Sequence, residues 1–456
     1  MVRLEEPFDL GGVRVRNRLY RAPLLEAAGT GPDAVDRLIA ELEPAAAAGA
    51  GLICQGATIV RGEGGCAAPG MTRVHDPAFV ARLERLTDRL HEHGSRVAIQ
   101  LEHGGLRSME TWHAGYRAAH PELEQLAVSR PPRPLRLLDR LGFLEYDARV
   151  LSTAAVYDLA ADFGRAAGRA VEAGYDAVHL AGANMGIVHQ FLSPFYNRRD
   201  DEFADGVRFL EVVRDEVRAR AGDVPLLTKV PAETAAPPWI RRRLSRADAV
   251  GICARLADAG FDALVPVTGS TFWDMSIVRG SYPAEAWDDE RFAAGYAEAF
   301  GSPLRARLVA LANRVESLVY GFEPAWNADL CRAVRRAVDV PVLCEGGVRE
   351  RRRIDRLLGD ACDAVGMGRP FYAEPRLPAR LLDPGRESGN GNGSNPSAVC
   401  ASCNNCAVPQ AAGEPGGCRT PAVLERVGRL RRRGAYERGG DDGARRNDDG
   451  ATDGGS

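Results

Sequence analysis

Eight short runs rich in apolar and β-branched residues recur along the chain. They cover residues 17–24, 51–60, 96–103, 176–182, 224–230, 262–269, 340–347 and 363–368. Each is bounded by Gly, Pro, Asp or Asn, the signature of a buried strand. Longer segments lie between them, and their apolar residues return every three or four positions. Two examples, 77–94 and 156–174, each end in glycine and read as amphipathic helices. Eight strand–helix units over about 370 residues fit a (β/α)8 barrel with insertions better than an open doubly wound sheet. The glycine-rich stretches do not follow a first strand in G-x-G-x-x-G form, which argues against a dinucleotide-binding unit.

The pattern changes after residue 382. A barrel over 1–382 is followed by a Gly/Asn/Ser linker at 383–399 and a cysteine-rich segment at 400–421. A basic helix at 422–438 and a Gly/Asp/Arg tail at 439–456, expected to be disordered, complete the reading. The chain has 456 residues, 45% hydrophobic and 27% charged, with a net charge of -3. Nothing in that balance calls for a nucleic acid or an anionic membrane as partner. No apolar run is long enough for a bilayer and the N-terminus lacks a signal-peptide core, so a cytoplasmic protein is expected. Its ten cysteines are then thiols or metal ligands rather than disulfides. Cys400, Cys403, Cys406 and Cys418 form a C-x-x-C-x-x-C with a fourth thiol downstream, a spacing that suits a 4Fe-4S cluster or tetrahedral zinc.

In a barrel the active site sits at the C-terminal ends of the strands. The residues delivered there are Pro23, Leu25, Gly56, Ala57, Gln100, His103, Asn184, Lys229, Thr268, Gly346, Gly347, Gly368 and Arg369. "CEGGV" and "GMGRP", at the ends of the last two strands, offer unobstructed backbone N–H groups and one guanidinium, which read as a phosphate cradle or as plain tight turns. Lys229 is the one lysine among 59 Lys and Arg, and it lies near the end of a buried strand. A position that stays lysine in such a chain points to a need for a compact charge rather than a planar fork.

The stretches "EPFDLGGVRVRNRLYRAPL", "GAGLICQGATIV", "VAIQLEHGG", "QFLSPFYNRRDDEF", "VPVLCEGGV" and "DAVGMGRPFYAEPRLPARLL" resemble the NADH:flavin oxidoreductase family, which includes old yellow enzyme and 2,4-dienoyl-CoA reductase. The resemblance runs over about residues 3 to 382 and implies an FMN-binding barrel enzyme. It implies that Pro23, Leu25, Ala57 and Gln100 lie against the isoalloxazine and that Gly346, Gly347, Gly368 and Arg369 hold the phosphate. Lys229 falls where the family carries an arginine facing the flavin pyrimidine edge. A cation about 4 Å from the reduced ring at an effective dielectric near 20 would stabilise it by on the order of 4 kcal/mol, roughly 90 mV. His103 matches the family's "QLxH" pattern and is a candidate at the flavin or substrate side.

The segment after the fourth strand departs from the family. Where relatives read "HGAHGY" or "HGANGY", this chain reads "AGANMG": Ala181 replaces the first histidine, Asn184 is kept and Gly186 replaces the tyrosine. Losing one carbonyl-gripping donor costs roughly 2 to 4 kcal/mol of transition-state stabilisation, so simple enone reduction is expected to be slow. His179, His189, Tyr196 and "METWHAGY" (109–116) are the candidate substitutes, although His179, opposite in direction to Leu180, reads more as packing. The cysteine motif is similar to the 4Fe-4S site of cluster-bearing relatives, with Asn404 and Pro421 echoing it and one spacing a residue shorter. Those relatives continue into FAD- and NAD(P)H-binding domains, which nothing in this sequence resembles. The expected partners are therefore a small-molecule substrate, a separate electron-transfer protein, NAD(P)H as a candidate electron donor, and a second copy in an oligomer. Two other classes remain open: a flavin-free lyase or aldolase with Lys229 as Schiff base, and a flavin-binding scaffold that has lost catalysis.

Overall fold

The computed structural model describes residues 2–142, 144–234, 240–271, 274–383 and 395–437. Most of the linker expected at 383–399 and all of the tail expected at 439–456 lie outside the described residues.

Each of the eight apolar runs forms a strand. These are β1 (Leu19–Arg21), β2 (Leu52–Ile59), β3 (Arg96–Glu102), β4 (Ala177–Leu180), β5 (Leu226–Glu233), β6 (Ala263–Gly269), β7 (Leu343–Cys344) and β8 (Ala364–Met367). All neighbours pair in parallel: β1 with β2, then in sequence to β6, while β8 joins β7 to β1. A parallel bridge from Leu264 to Val342 closes β6 against the start of β7, so the sheet is a (β/α)8 barrel.

Period-2 alternation along the strands sorts two cores. Leu19, Ile53, Leu226 and Leu264 point outward into the layer shared with helices such as Ala34–Ala47, Thr153–Glu172 and Gly206–Ala221. Tyr20, Cys54, Leu227 and Val265, one position on, point inward and fill the barrel. An antiparallel hairpin of Phe8–Leu10 and Val13–Val15 caps the N-terminal end of that interior, and its two turn residues, Gly11 and Gly12, both have positive φ.

The outward layer also holds a buried cation. Arg21 has a fully buried side chain and bridges Glu26 at 2.8 Å and Glu41 at 3.0 Å, which ties β1 to the first helix. The segment expected as one helix at 77–94 is divided into Pro77–Val80 and Glu84–Glu92. Two helices, Glu290–Phe300 and Pro303–Val319, are inserted between β6 and β7.

Beyond the barrel the basic helix spans Pro421–Arg432, and its Val423 and Val427 pack with Ala373, Val399, Cys400 and Tyr436. The cysteine segment is thus fastened to the barrel's last helical layer. No described helix is long and apolar enough to cross a membrane.

Candidate functional site

The inward register of β5 places Lys229 two positions after Leu227, at the mouth of the barrel. Its Nζ lies 2.7 Å from Glu345 Oε2, with 9% and 11% of the two side chains exposed. Tyr20 Oη donates to the other Glu345 oxygen at 2.8 Å. Burial and the carboxylate drive the phenol well above its usual range, so it remains a donor. Gly366 makes room for the ring, since a Cβ there would sit 2.3 Å from Tyr20 Cζ. Lys229 is thus half of a buried ion pair whose other half sequence reading missed.

Gln100 Nε2 donates to His179 Nδ1 at 3.1 Å, which leaves the imidazole proton on Nε2. Burial, with Lys229 nearby, holds His179 well below the usual imidazole range, so the ring is neutral. Its Nε2 is buried without a partner among the described residues. Leu180 points outward as expected, and His179 belongs to the interior with Gln100 and Lys229.

The segment after β4 presses against β5. A Cβ at Gly182 would lie 1.9 Å from Lys229 O, so only glycine fits there. Asn184 and Met185 follow with φ of 67° and 60°, two successive left-handed residues that need outside support. His189 supplies it: Nδ1 accepts from Met185 N–H at 3.0 Å and Nε2 faces Glu233 Oε1 at 3.0 Å. Ser193 Oγ at 2.6 Å and the Leu244 N–H fix the same carboxylate. Arg107 Nη1 donates to Asn184 O at 2.8 Å. Held in this way, the Asn184 side chain presents an Oδ1 that is buried and unpartnered among the described residues.

His103, the other candidate at the flavin or substrate side, is engaged at both ring nitrogens. Its Nδ1 accepts from Gly105 N–H at 3.2 Å and its Nε2 bonds Glu63 O at 3.0 Å. Both ring nitrogens are spent on backbone, and burial lowers the imidazole to about 4. His103 is a neutral clamp on the loop after β2, not a group free to meet substrate. On the apolar side of the mouth, Leu25 and Ala57 pack with Ile59, Met71, Met109 and Trp112, so the "METWHAGY" insertion contributes a wall. Pro23 is half-buried just after β1.

The turns after β7 and β8 carry the glycines. Gly346 and Gly347 have φ of 93° and 68°, and a Cβ on Gly347 would lie 2.2 Å from Glu323 O. The backbone N–H groups of Gly347 and Gly368 make no hydrogen bond among the described residues. Arg369, expected to hold the phosphate, donates from its guanidinium to Asn404 Oδ1 and, at 2.9 Å, to Arg279 O, with burial lowering its basicity. It faces the cysteine segment.

Cys400, Cys403, Cys406 and Cys418 line one pocket with Arg369 as a common neighbour. Left-handed Ser402 and Asn404 curl the chain around that pocket, and Arg349 binds Ser402 from the barrel side. Among the described residues no three His, Cys, Asp or Glu side chains converge on a single ion position. Sequence reading missed three carboxylates at the mouth, Glu102, Glu233 and Glu345. The available signal was an acidic residue inside an otherwise apolar strand end.

Comparison with known proteins gives three kinds of match. The model of the NADH:flavin oxidoreductase / NADH oxidase family matches residues 3–241. A metal reductase of Desulforamulus reducens is 25% identical over 386 residues, covering 83% of this chain and 48% of that protein, so the chain spans about half its length. A 4,4'-dithiodibutanoate disulfide reductase of Rhodococcus erythropolis is 26% identical over 418 residues, covering 88% of this chain and 91% of that one. Among solved structures, an old yellow enzyme homologue from Zymomonas mobilis aligns with a TM-score of 0.61 at 20% identity, covering 93% of this chain and 98% of its own, a likeness of fold.

Proposed function

The chain belongs to the NADH:flavin oxidoreductase / NADH oxidase family, and on that premise we propose an FMN-dependent oxidoreductase that passes a hydride between flavin and a small unsaturated carbonyl or amine-like substrate. The observation that carries the reading is the convergence at one barrel end of unpaired backbone donors at Gly347 and Gly368, the Lys229–Glu345 pair, and the orphaned polar atoms of His179 and Asn184. These residues fit FMN. Bound there, it supplies a two-electron carrier that accepts or gives hydride.

The protein's own contribution follows from what each group can offer. The Gly347 and Gly368 N–H groups suit a phosphate, which backbone donors bind without adding charge. Leu25, Ala57 and Trp112 provide an apolar wall that excludes water from one side. Gln100 fixes the tautomer of His179, whose Nε2–H is then a neutral donor toward the mouth. Lys229 shares its charge between Glu345 and a ligand edge. Asn184, braced through His189 and Glu233, offers the grip on a substrate heteroatom.

The cysteine pocket suits a 4Fe-4S cluster exchanging electrons with a partner protein. Zinc, at about 2.3 Å from each sulfur, would draw all four thiolates onto one point. A cluster would instead spread them over four irons, and the spacing similar to that of cluster-bearing relatives favours it. The Schiff-base alternative is disfavoured because the Lys229 amine is engaged by Glu345 at 2.7 Å. The test is protein purified without air. The reading expects flavin absorption and one FMN with four irons per chain; colourless protein would overturn the flavin assignment, and zinc in place of iron would overturn the cluster.

A further inference from the structure

Glu102 closes β3 two positions after Gln100 and four after Ala98, so it shares their interior face. It is 5% exposed, and its Oε1 has no hydrogen-bond partner among the described residues. An ionised carboxylate left in that state costs several kcal/mol, whereas a neutral carboxylic acid tolerates it far better.

The surroundings favour the acid. Two cations act on Glu102, Arg107 from the turn after β3 and Lys229 from β5. Both are committed elsewhere, Arg107 to Asn184 O at 2.8 Å and Lys229 to Glu345 at 2.7 Å. Cys66, from the segment after β2, is a buried thiol raised to about 11 and brings no charge. Burial outweighs the two cations and holds the carboxyl above its usual range. The segment after β4 passes directly over the group: a Cβ on Gly186 would lie 3.2 Å from Glu102 Oε1 and 3.6 Å from its Cγ. The absence of a side chain at Gly186 therefore leaves room beside the buried carboxyl, in the segment that carries Asn184.

We propose that Glu102 is the proton donor of the reaction, and its acceptor when the reaction runs in reverse. The assignment rests on the flavin reading given above. In the reducing direction, one atom of the substrate double bond would take a hydride, which FMN bound at this mouth would supply. The π electrons move to the neighbouring atom, which takes the proton of the Glu102 carboxyl. Glu102 is left as carboxylate and regains its proton from water. In the oxidising direction the carboxylate removes a proton from the atom beside the one that loses hydride.

Glu102→Gln keeps the volume and removes the exchangeable acid. In dithionite-reduced protein reoxidised by cyclohexenone, the rate should fall about 100- to 10,000-fold in the variant. The wild-type rate should decline at alkaline pH while the variant's stays flat. Infrared spectra provide a readout that does not depend on turnover. The wild type should show a protonated-carboxyl band at neutral pH that E102Q lacks and Glu102→Asp retains, shifted. Survival of that band in E102Q, its absence from the wild type, or an enone rate in E102Q within about twofold of wild type would overturn the proposal. FMN content separates the two claims. Protein without FMN would defeat the flavin reading whatever the infrared result, while a normal FMN content with an unchanged band defeats only the role of Glu102.

Discussion

Two buried ion pairs sit on opposite sides of the same barrel wall. Outside it, Arg21 uses both terminal nitrogens to bridge Glu26 and Glu41, and Glu26 also accepts the Gly56 N–H at 3.0 Å. Inside, Lys229 makes one contact with Glu345, whose second oxygen takes Tyr20. The guanidinium has a planar fork that locks a strand to a helix, away from the barrel mouth. The ammonium is a point charge with three rotatable donors, one of which suffices for Glu345. On the proposed reading, the chain uses arginine where a cation holds the fold and its one lysine where a cation is shared with a ligand.

The largest effect should come from breaking the outer pair. Arg21→Met strands Glu26 in an apolar layer and should cost about 3 to 5 kcal/mol of stability in urea unfolding. Adding Glu26→Gln should restore much of that loss. A single variant within about 1 kcal/mol of wild type would erase the distinction drawn between the two pairs.

A second test uses a residue at the mouth that behaves like the outer pair. His103 is closed on both nitrogens and neutral, with its imidazole near 4 in the folded chain against about 6.5 when unfolded. The unfolded state then binds the extra proton first. Stability is full above pH 6.5, declines as pH falls between 6.5 and about 4, and is lower by roughly 3 kcal/mol below that. His103→Gln should flatten this part of the stability curve. An unchanged slope would mean that another group titrates there.

How much of this could be read from the sequence depends on what kind of fact it was. Every barrel strand was legible because local alternation and bounding turns carry the information, as in 226–233, where Leu226 and Leu227 divide between the two cores. The barrel also follows, since eight such units have few ways to close. Positions at strand ends were legible too, and so Lys229, Gln100 and Asn184 arrive at one mouth. The aim of a side chain was not. Arg369 sits at the expected strand end, yet its head is drawn to Asn404, which lies beyond the linker. The partner of Lys229 was hidden because barrel closure, not local pattern, brings β7 to β1 and β5. Tyr20 and Glu345 meet across 325 positions of sequence.

Breaking the inner pair from its cationic side should cost less stability than the outer one. In Lys229→Met, Glu345 keeps the Tyr20 hydrogen bond and some contact with solvent, so the loss should be about 2 kcal/mol. The flavin consequence is more distinctive. An uncompensated carboxylate at the mouth disfavours a reduced, negatively charged ring, so FMN should bind more weakly and its potential should fall. Lys229→Arg should keep the colour. Normal FMN retention in K229M after gel filtration would remove Lys229 from the site.

The smallest effect comes from the anionic side and has the opposite sign. Glu345→Gln keeps the shape, its oxygen can accept from Lys229 and its amide N–H can donate to the Tyr20 oxygen, so stability should change by less than about 1 kcal/mol. The ammonium, however, is no longer neutralised by its neighbour. A unit charge within about 10 Å of the ring at an effective dielectric near 20 is worth on the order of 1.5 kcal/mol, or roughly 30 mV of two-electron potential. The potential of bound FMN should therefore rise in E345Q and fall in K229M, measured by dye-coupled reductive titration on both proteins. If the ion pair were only a structural clasp like Arg21 with Glu26, the two variants would shift the potential little or in the same direction. Opposite shifts around the wild-type value are what a shared cation requires.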